Sequence, residues 1–295
     1  MKFGKTIRYL RRAKRGRNIL LTGVPRSGTT LTSRLLSEAP DTVALNEPLA
    51  QEYFPSATIA QRNIMQQCES FRKSIYFDGR APARTTQGKI TDNAYSPTLS
   101  GNTRKRIVER TLLSFDKKLA PDFTLILKHC AEFSLLLPAL EKEIEVFAQI
   151  RNPLAVLASW QTVNIPVSRG KVAKSARLNA SFHQALEEQG DDLLKRQLFI
   201  LDWYYQRYLG FPTSHIIRYE QLIAEPQTTL TAITPAVEAH SYAPLQLQNN
   251  NPMYRELPIA ELAAALLNAG GAYLHFYHKN DILTLAQELQ SHGKQ

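Results

Sequence analysis

Five short runs of apolar residues stand out along the chain, and between them apolar positions recur at helical spacing. The runs are centred on Leu20, Val43, Leu125, Val146 and Ile216. A short, almost continuous apolar run is typical of a strand buried on both faces, and helices between such strands make their pairing parallel. The pattern therefore predicts an α/β protein, with an open parallel β-sheet that is flanked by helices on both faces.

The loop after the first predicted strand has the spacing of a phosphate-binding loop. Residues 23–30 read Gly-Val-Pro-Arg-Ser-Gly-Thr-Thr, close to the pattern G-x-x-x-x-G-K-[ST], and a helical pattern follows. Gly23 and Gly28 keep the spacing that lets backbone N–H groups surround a phosphate at a helix N-terminus. Thr29 stands where ATP-binding loops have a lysine, and Arg26 is the only cation in the loop. We therefore expect a P-loop-type fold whose loop binds a phosphate but not a nucleoside triphosphate.

A second strand–loop–helix unit lies far downstream. Residues 144–150 are predicted to form a buried strand, and residues 154–160 a helix that Asn152 can cap. Arg151 then follows the strand, at the sheet edge where open α/β proteins bind ligands. Ser159 lies about two helical turns further on, so an arginine and a hydroxyl could share one phosphate. Taken alone, Arg151 fits a surface arginine paired with a carboxylate better than it fits a phosphate ligand.

These two segments carry a family resemblance. Residues 25–31 and 151–159 resemble the two cofactor motifs of sulfotransferases that use 3′-phosphoadenosine 5′-phosphosulfate (PAPS). The resemblance implies that Arg151 and Ser159 hold the 3′-phosphate. It also implies that the first loop holds the 5′-phosphosulfate, through Arg26, Ser27, Gly28, Thr29 and Thr30.

Three further segments fit the same family in the expected order. Glu47 lies 21 residues after Arg26 and resembles the catalytic base of the carbohydrate and tyrosylprotein sulfotransferase branches. Lys128 resembles a strand-end lysine that faces the transferred sulfuryl group, and Tyr219 resembles the tyrosine that contacts the adenine. The resemblance covers residues from about 18 to about 235.

Two features depart from the family pattern. Asn152 stands where the family usually has an aspartate. The basic C-terminal segment that often grips the 3′-phosphate in cytosolic sulfotransferases is not evident, and Tyr254-Arg255 is a weak candidate for it.

The resemblance also implies a mechanism. A sulfuryl group carries less negative charge than a terminal phosphoryl group, so we expect no metal site and no metal requirement. Glu47 would take the proton of the acceptor hydroxyl, while Arg26 and Lys128 would neutralise charge on the bridging and sulfuryl oxygens. The alternatives are an ordinary loop carboxylate at Glu47, a surface lysine at Lys128 and a core histidine at His129.

Two other functions remain open from the sequence. A P-loop kinase of a nucleotide or small molecule would need ATP and Mg²⁺, and Thr29 in place of the lysine disfavours it. A non-catalytic polyanion-binding protein would instead use basic residues near the N-terminus. The acceptor is expected to be a hydroxyl on a carbohydrate or glycolipid, because the phenol-type branch of the family uses a histidine base.

The positive charge is concentrated at the start of the chain. The net charge is +10 over 295 residues, but eight cations and no acid lie within residues 1–17, which leaves about +2 for the remainder. We therefore expect a basic arm at residues 1–17, a single sulfotransferase domain at 18–295, and no nucleic-acid partner. The arm is interpreted either as a solvated tail or as a docking segment for an anionic membrane surface or an acidic polymer.

Composition adds few constraints. Cys68 and Cys130 have no metal or redox spacing and are expected to be reduced and packed. No run approaches the length of a membrane span, and no signal-peptide core is evident, so we expect a bacterial cytoplasmic protein. The basic arm allows a location at the inner membrane surface.

Three segments outside the motifs have predictions of their own. Residues 78–102 are rich in Gly, Pro, Ser, Thr and Asn, which indicates an irregular acceptor-side loop or disorder. Residues 161–178 carry four cations, which indicates a lid over an anionic cofactor or a solvated charge run. Residues 179–210 have the pattern of one long helix with an aromatic core face.

Overall fold

A central parallel sheet organises the protein. The structure is a computed structural model that describes residues 2–291. Within them, five parallel strands form a sheet in the order β2-β7-β1-β8-β9. Their bounds are β1 Asn18–Gly23, β2 Thr42–Asn46, β7 Thr124–Lys128, β8 Glu145–Ile150 and β9 Ile216–Arg218. All five apolar runs are therefore strands, and the predicted parallel sheet is confirmed.

Helices cover both faces of this sheet. Alternate residues of β1 point to opposite faces, so Leu20 joins one buried cluster while Ile19 and Leu21 join the other. The helices are α1 Lys2–Arg12, α2 Thr29–Glu38, α3 Ala57–Asp78, α4 Ala131–Leu140, α5 Pro153–Gln161, α6 Ser175–Leu178, α7 Ala180–Glu187, α8 Leu193–Tyr208, α9 Tyr219–Ala224, α10 Pro226–Thr231, α11 Ile259–Ala269 and α12 Lys279–Ser291. The first cluster includes side chains of α3, α4, α5 and α8, and the second includes side chains of α2, α9 and α10.

Two small antiparallel sheets occupy a region that the sequence indicated to be irregular. Strand β3 (Arg80–Thr85) pairs with β6 (Glu109–Ser114), and β4 (Tyr95–Ser100) pairs with β5 (Thr103–Arg106). The segment at residues 78–102 is therefore not irregular throughout, since it contains β3 and β4 joined by a loop at residues 86–94, and its role on the acceptor side stays a prediction. The sequence did not predict these strands because they are half exposed and contain Pro and small polar residues, which have low strand propensity.

The predicted long helix at residues 179–210 is interrupted. It consists of α7 and α8, and the connection between them includes Gly190 at a φ of 73°. The Asp192 carboxylate accepts a hydrogen bond from the Lys195 amide at 3.0 Å and so caps the new helix. The local turn and cap residues outweigh the aromatic pattern that continues across them.

The N-terminal residues form a packed helix. Tyr9 of α1 is buried and its ring lies 5.2 Å from Tyr76 and 5.0 Å from Phe77 of α3. Arg12 forms an ion pair with Asp122 at 2.9 Å. The solvated-tail interpretation of residues 1–17 is therefore wrong for its described part, while Met1, like residues 292–295, lies outside the described residues.

The segment at residues 161–178 contributes apolar side chains, and not its cations, to the interior. It contains a 3₁₀ helix, Pro166–Arg169, followed by α6. Lys174 pairs with Glu132, and the exposed Arg169 donates a hydrogen bond to Asn164. The interpretation of this segment as a lid over an anionic cofactor stays a prediction.

Candidate functional site

The five segments that carry the predicted site residues meet along one edge of the sheet. Parallel strands end at a common edge, and the strand order brings these ends together in a fixed sequence. Along this edge the order is Glu47 after β2, Lys128 at the end of β7, the P-loop after β1, Arg151 after β8 and Tyr219 after β9. The sheet topology therefore places the carboxylate–lysine pair on one side of the P-loop and the arginine–tyrosine pair on the other.

Both glycines of the P-loop are required by the backbone. Gly23 has a φ of 152° and Gly28 a φ of 99°. A Cβ atom at Gly23 would lie 2.4 Å from the Gln149 carbonyl oxygen, and one at Gly28 would lie 2.7 Å from the Tyr219 ring. Gly28 is the N-cap of α2 and has no capping side chain, so the first amides of that helix have no partner within the helix. A helix terminus of this kind is able to bind an anion.

The polar residues of the loop differ in what they offer a ligand. The Ser27 hydroxyl donates to the Gln149 carbonyl at 3.0 Å, and the Ser27 amide donates to the Val24 carbonyl at 2.9 Å. Ser27 is therefore committed to holding the loop in shape. Thr29 and Thr30 both border the cavity described below, and the Thr29 hydroxyl lies 3.2 Å from the Cys130 sulfur.

Arg26 lies at the centre of the loop in a left-handed conformation, with a φ of 76°. Its Nε donates to the Ser159 hydroxyl at 3.1 Å and its Nη1 donates to the Asn93 side-chain oxygen at 3.3 Å. Its guanidinium carbon lies 4.9 Å from the centre of the Tyr95 ring. Burial is the main reason that the Arg26 pKa falls to about 10, with further lowering from the charges of Arg104 and Arg151.

Arg151 is buried and directed toward the loop. Asn152 caps α5 as predicted, by accepting from the Leu154 amide at 3.0 Å. The Arg151 guanidinium donates to the Arg26 carbonyl at 3.1 Å and lies 4.6 Å from the centre of the Tyr219 ring. Its remaining contacts are the Asn249 side-chain oxygen at 2.7 Å and the Gln248 carbonyl at 2.5 Å. The alternative of a surface arginine paired with a carboxylate is thus not what the structure has.

Two residues of this region, Tyr254 and Arg104, were not predicted as site residues from the sequence. Ser159 is fully buried, and the Tyr254 hydroxyl forms a hydrogen bond with it. Burial raises the Tyr254 pKa, but the charge of Arg151, the bond to Ser159 and the charges of Arg26 and Arg104 bring it below its ordinary value. Arg104, on β5, is also buried. Nothing in the local sequence Thr-Arg-Lys-Arg separates Arg104 from its neighbours, and only strand alternation, once β5 is recognised, gives a signal.

Glu47 lies within a cluster of cations. Its carboxylate is 3.2 Å from Lys128 Nζ, 2.7 Å from Arg84 Nε and 3.6 Å from Arg106 Nη2. Its amide donates to the Lys128 carbonyl at 2.9 Å, which fixes the turn in which Glu47 adopts a φ of 46°. Burial raises the Glu47 pKa, but Lys128, His129 and Arg84 outweigh it and lower the pKa to about 2. The carboxylate is therefore ionised at neutral pH.

Lys128 is the buried partner of this pair. Its side chain is 4% exposed, compared with 29% for Glu47. Burial lowers the Lys128 pKa, but interactions with Cys130 and Glu47 raise it above its ordinary value. A buried ammonium next to a partly open carboxylate is a fixed positive charge that can act on an incoming anion.

His129 has a supporting position. Its Nε2 accepts a hydrogen bond from the Leu49 amide at 3.2 Å, and its Nδ1 lies 3.5 Å from Glu132. Its ring packs against Phe54 and Phe133, with centres 5.5 Å and 5.0 Å away. Both ring nitrogens are thus used inside the protein, which fits the alternative of a core histidine.

One cavity of about 900 Å³ is lined by most of these groups, but not by the buried Ser27, His129 and Ser159. It is bordered by the P-loop, by Glu47 with Lys128, and by Arg151 with Tyr219. Residues of the segment 78–102, among them Arg84, Asn93 and Tyr95, form part of the cavity wall. Its charged lining is predominantly cationic and consists of Arg26, Arg34, Arg84, Arg104, Arg106, Lys128 and Arg151 with Glu47, Asp92 and Glu132. Such a cavity favours an anionic ligand.

Comparison with known families identifies the chain. The profile of the family described as "Sulfotransferase domain" matches residues 16–235, the region that contains all five edge segments. The chain belongs to the sulfotransferase family. It is therefore an enzyme of sulfuryl transfer, and the predicted family and fold are confirmed.

Solved structures of other sulfotransferases are similar to this sulfotransferase at low identity. The sulfotransferase domain from the curacin biosynthetic pathway is 15% identical, with a TM-score of 0.36, over 79% of this chain and 77% of that chain. Sulfotransferase STF1 from Mycobacterium tuberculosis H37Rv is 13% identical, with a TM-score of 0.37, over 90% of this chain and 81% of that chain. No curated protein sequence matches the chain. Among its described helices, none combines the length and apolar character needed to cross a bilayer.

Proposed function

We propose that this sulfotransferase takes its sulfuryl group from PAPS and transfers it to a hydroxyl of a carbohydrate or glycolipid. The observation that carries the proposal is the order of groups along the sheet edge. Arg151 with Tyr219, the P-loop with Arg26, and the Lys128–Glu47 pair follow one another along this edge and border one cavity. A donor with two phosphate groups and a terminal sulfuryl group matches that order.

The donor's charged groups have separate partners in this proposal. The free amides at the start of α2 receive the 5′-phosphate, together with the hydroxyls of Thr29 and Thr30. Arg151 and Ser159 receive the 3′-phosphate, and Tyr219, which lies against Gly28, receives the adenine ring. Because Arg151 already donates to the Gln248 carbonyl and the Asn249 side chain, donor binding exchanges these contacts for phosphate oxygens.

Transfer then needs a base and fixed positive charge. Glu47 accepts the proton of the acceptor hydroxyl while Arg26 and Lys128 stabilise the bridging and sulfuryl oxygens. A carboxylate whose pKa is about 2 is a weak base. Sharing Lys128 with the sulfuryl oxygens weakens its hold on Glu47, so binding of the donor raises the proton affinity of the carboxylate.

The acceptor side of the cavity supports a sugar hydroxyl. The cavity lining combines polar side chains at Thr91, Asp92 and Asn93 with the rings of Tyr95 and Tyr204. Sugars present hydroxyls at their edges and C–H groups on their faces, which suits such a mixed surface. The resemblance of the Glu47 segment to the carbohydrate branch favours the same acceptor class.

A transfer assay tests the proposal. Purified protein is incubated with PAPS that carries a labelled sulfuryl group and with panels of glycans and glycolipids, with EDTA and without. We expect labelled product with at least one panel member, and equal turnover with EDTA, because arginines and Lys128 supply the positive charge. Phosphoryl transfer from ATP that requires Mg²⁺, with no product from PAPS, would favour the kinase alternative.

We also propose that α1 makes peripheral contact with an anionic membrane. Its exposed surface combines basic side chains with Ile7 and Leu10, which are 37% and 66% exposed. Such a helix binds at the lipid interface through apolar contact and basic charge. Since α1 precedes β1, it lies near the edge opposite the cavity, at a distance of about 15–20 Å for strands of this length.

Vesicle binding tests this contact. Native protein should float with vesicles that contain phosphatidylglycerol, and the double variant Arg8→Gln with Arg11→Gln should bind them less. Equal binding to neutral phosphatidylcholine vesicles, or no effect of the double variant, would contradict the proposal. The cytoplasmic location expected from the sequence stays a prediction.

A further inference from the structure

Three arginines without a carboxylate partner line the same cavity, and one of them, Arg26, donates to the Ser159 hydroxyl at 3.1 Å. Arg26 comes from the P-loop, Arg104 from β5 and Arg151 from the end of β8. Within residues 2–291, none of the three forms an ion pair with an Asp or Glu. Their positive charges repel one another. After burial, this repulsion from Arg104 and Arg151 is a further reason that the Arg26 pKa is lowered. The groups that counter this repulsion are the phenols of Tyr254 and Tyr95.

Such a cluster is costly unless an anion completes it. Removing like charges from water and holding them close together is unfavourable, and protein interiors ordinarily pair them. A phosphate dianion offers enough charge and enough acceptor oxygens to pair with several guanidinium groups at once. The cluster therefore fits a phosphate group as its counter-ion.

Arg104 is held in place by the hairpin that carries it. Its side chain is 6% exposed, and its Nε donates to the Ser96 carbonyl at 2.5 Å. Its Nη2 donates to the Tyr95 carbonyl at 3.3 Å. Among the described residues, Nη1 has no hydrogen-bond acceptor, although Arg104 borders the cavity.

The same hairpin is tied to the helix that carries Ser159. The Arg104 amide donates to the Thr162 carbonyl at 2.8 Å, directly after the end of α5. The Arg26 side chain is also joined to the β4 region, through Asn93 at 3.3 Å and the Tyr95 ring at 4.9 Å. Arg104 is thus fixed relative to both Arg26 and Ser159, as a ligand to a common group needs to be.

We propose that Arg104 is a specificity-determining ligand for the donor's 3′-phosphate, presented by the β4–β5 hairpin opposite Arg151. This inference rests on PAPS being the donor. It assigns a binding role to a segment outside both cofactor motifs. The hairpin then closes the donor half of the cavity with Arg104, while Arg106, two residues on along the same strand, lies beside Glu47 in the acceptor half.

A purely structural role for Arg104 makes a different prediction. If its only task were to hold the Tyr95 and Ser96 carbonyls, its replacement would lower stability and weaken all nucleotides alike. If it binds the 3′-phosphate, its replacement weakens only nucleotides that carry that group. The ratio of affinities for 3′-phosphoadenosine 5′-phosphate and AMP separates the two roles.

The test is calorimetric titration of the full chain with both nucleotides. Arg104→Gln keeps a hydrogen-bond donor for the carbonyls and removes the charge, whereas Arg104→Lys keeps the charge. Lys105→Ala is the matched control, because it removes one charge from the exposed face of the same strand. Thermal unfolding of each variant reports whether the hairpin remains folded.

We expect Arg104→Gln to lose roughly 10-fold or more in affinity for 3′-phosphoadenosine 5′-phosphate and to bind AMP as the native protein does. Arg104→Lys should lose less, and Lys105→Ala should change neither affinity. Equal losses for both nucleotides, or an unchanged affinity for the 3′-phosphorylated one, would overturn the inference while the native preference still supports PAPS. A native protein without any preference would refute the donor and this inference together.

Discussion

At the scale of single residues, the state of Glu47 decides whether the site can act as a base. Three cations surround its carboxylate, and the closest contact is the 2.7 Å pair with Arg84. These contacts keep it ionised in the free protein and also keep it from taking a proton easily. The mechanism therefore depends on how far the bound donor competes for Lys128.

Replacing Glu47 with glutamine tests its role as a base. Glu47→Gln keeps the shape of the side chain and removes the proton acceptor, so kcat should fall by about 10²–10⁴-fold. The affinity for 3′-phosphoadenosine 5′-phosphate should stay close to native. Glu52→Gln is a control at a nearby exposed carboxylate, and steady-state kinetics should find it unchanged. A Glu47→Gln enzyme within a few-fold of native kcat would remove Glu47 from the mechanism.

The effect of Glu47→Gln on the stability of the protein should depend on pH. The folded-state pKa of Glu47, about 2, lies below its usual value of 4.5, although burial alone would raise it. The stabilisation is therefore fully present above about pH 4.5 and is lost as the pH falls toward 2. Since Glu47→Gln leaves Lys128 without its partner, it should be less stable at pH 7 by on the order of 1–3 kcal/mol.

Urea unfolding at a series of pH values measures this difference. The difference in free energy of unfolding between native and Glu47→Gln protein should become smaller as the pH falls from 5 toward 3. A gap that is constant over this range would mean that the ion pairs contribute nothing to folding.

At the scale of elements, the turn between β1 and α2 is the most constrained part of the site. The positive φ of Gly28 and the Tyr219 ring, which would lie 2.7 Å from a Cβ atom at this position, both exclude a side chain. Packing of Tyr219, which follows β9, against the loop thus couples the two ends of the proposed donor site.

Comparing Gly28→Ala with Gly101→Ala separates the cost of the positive φ from the cost of the clash with Tyr219. Gly101 has a φ of 64° but open space around its Cα, so its replacement should cost only the backbone strain, about 1–2 kcal/mol. Gly28→Ala should cost more and should also weaken binding of 3′-phosphoadenosine 5′-phosphate, because Tyr219 must move. Denaturant unfolding and calorimetry measure both quantities. Equal effects of the two variants would show that the Tyr219 contact is unimportant.

How far the sequence predicted each element depends on how that element is stabilised. The strands of the central sheet are buried on both faces, so their apolar runs are visible, and the loops that follow them carry recognisable motifs. The β4–β5 hairpin is stabilised instead by pairing between half-exposed strands and by the side chain of Arg104. Its sequence resembles a polar loop, and for that reason Arg104 could not be singled out. The break at Gly190 was similarly hidden by an aromatic pattern that continues on both sides.

At the scale of the whole molecule, positive charge is concentrated in two separate places. One is α1, near the amino edge of the sheet, and the other is the cavity at the carboxyl edge. A membrane engaged by α1 would lie on the far side of the sheet from the cavity. Of the two proposed acceptor classes, this arrangement favours a carbohydrate that reaches the cavity from solution over a glycolipid in the same membrane.

The central claim, that the cavity binds a nucleotide with a 3′-phosphate, is tested most directly by calorimetry on native protein and Arg151→Ala. Native protein should bind 3′-phosphoadenosine 5′-phosphate more tightly than AMP, and more tightly than ATP with Mg²⁺. Arg151→Ala should lose about 10–150-fold in affinity for the 3′-phosphorylated nucleotide and little for AMP. Equal binding of 3′-phosphoadenosine 5′-phosphate and AMP by the native protein would contradict the account.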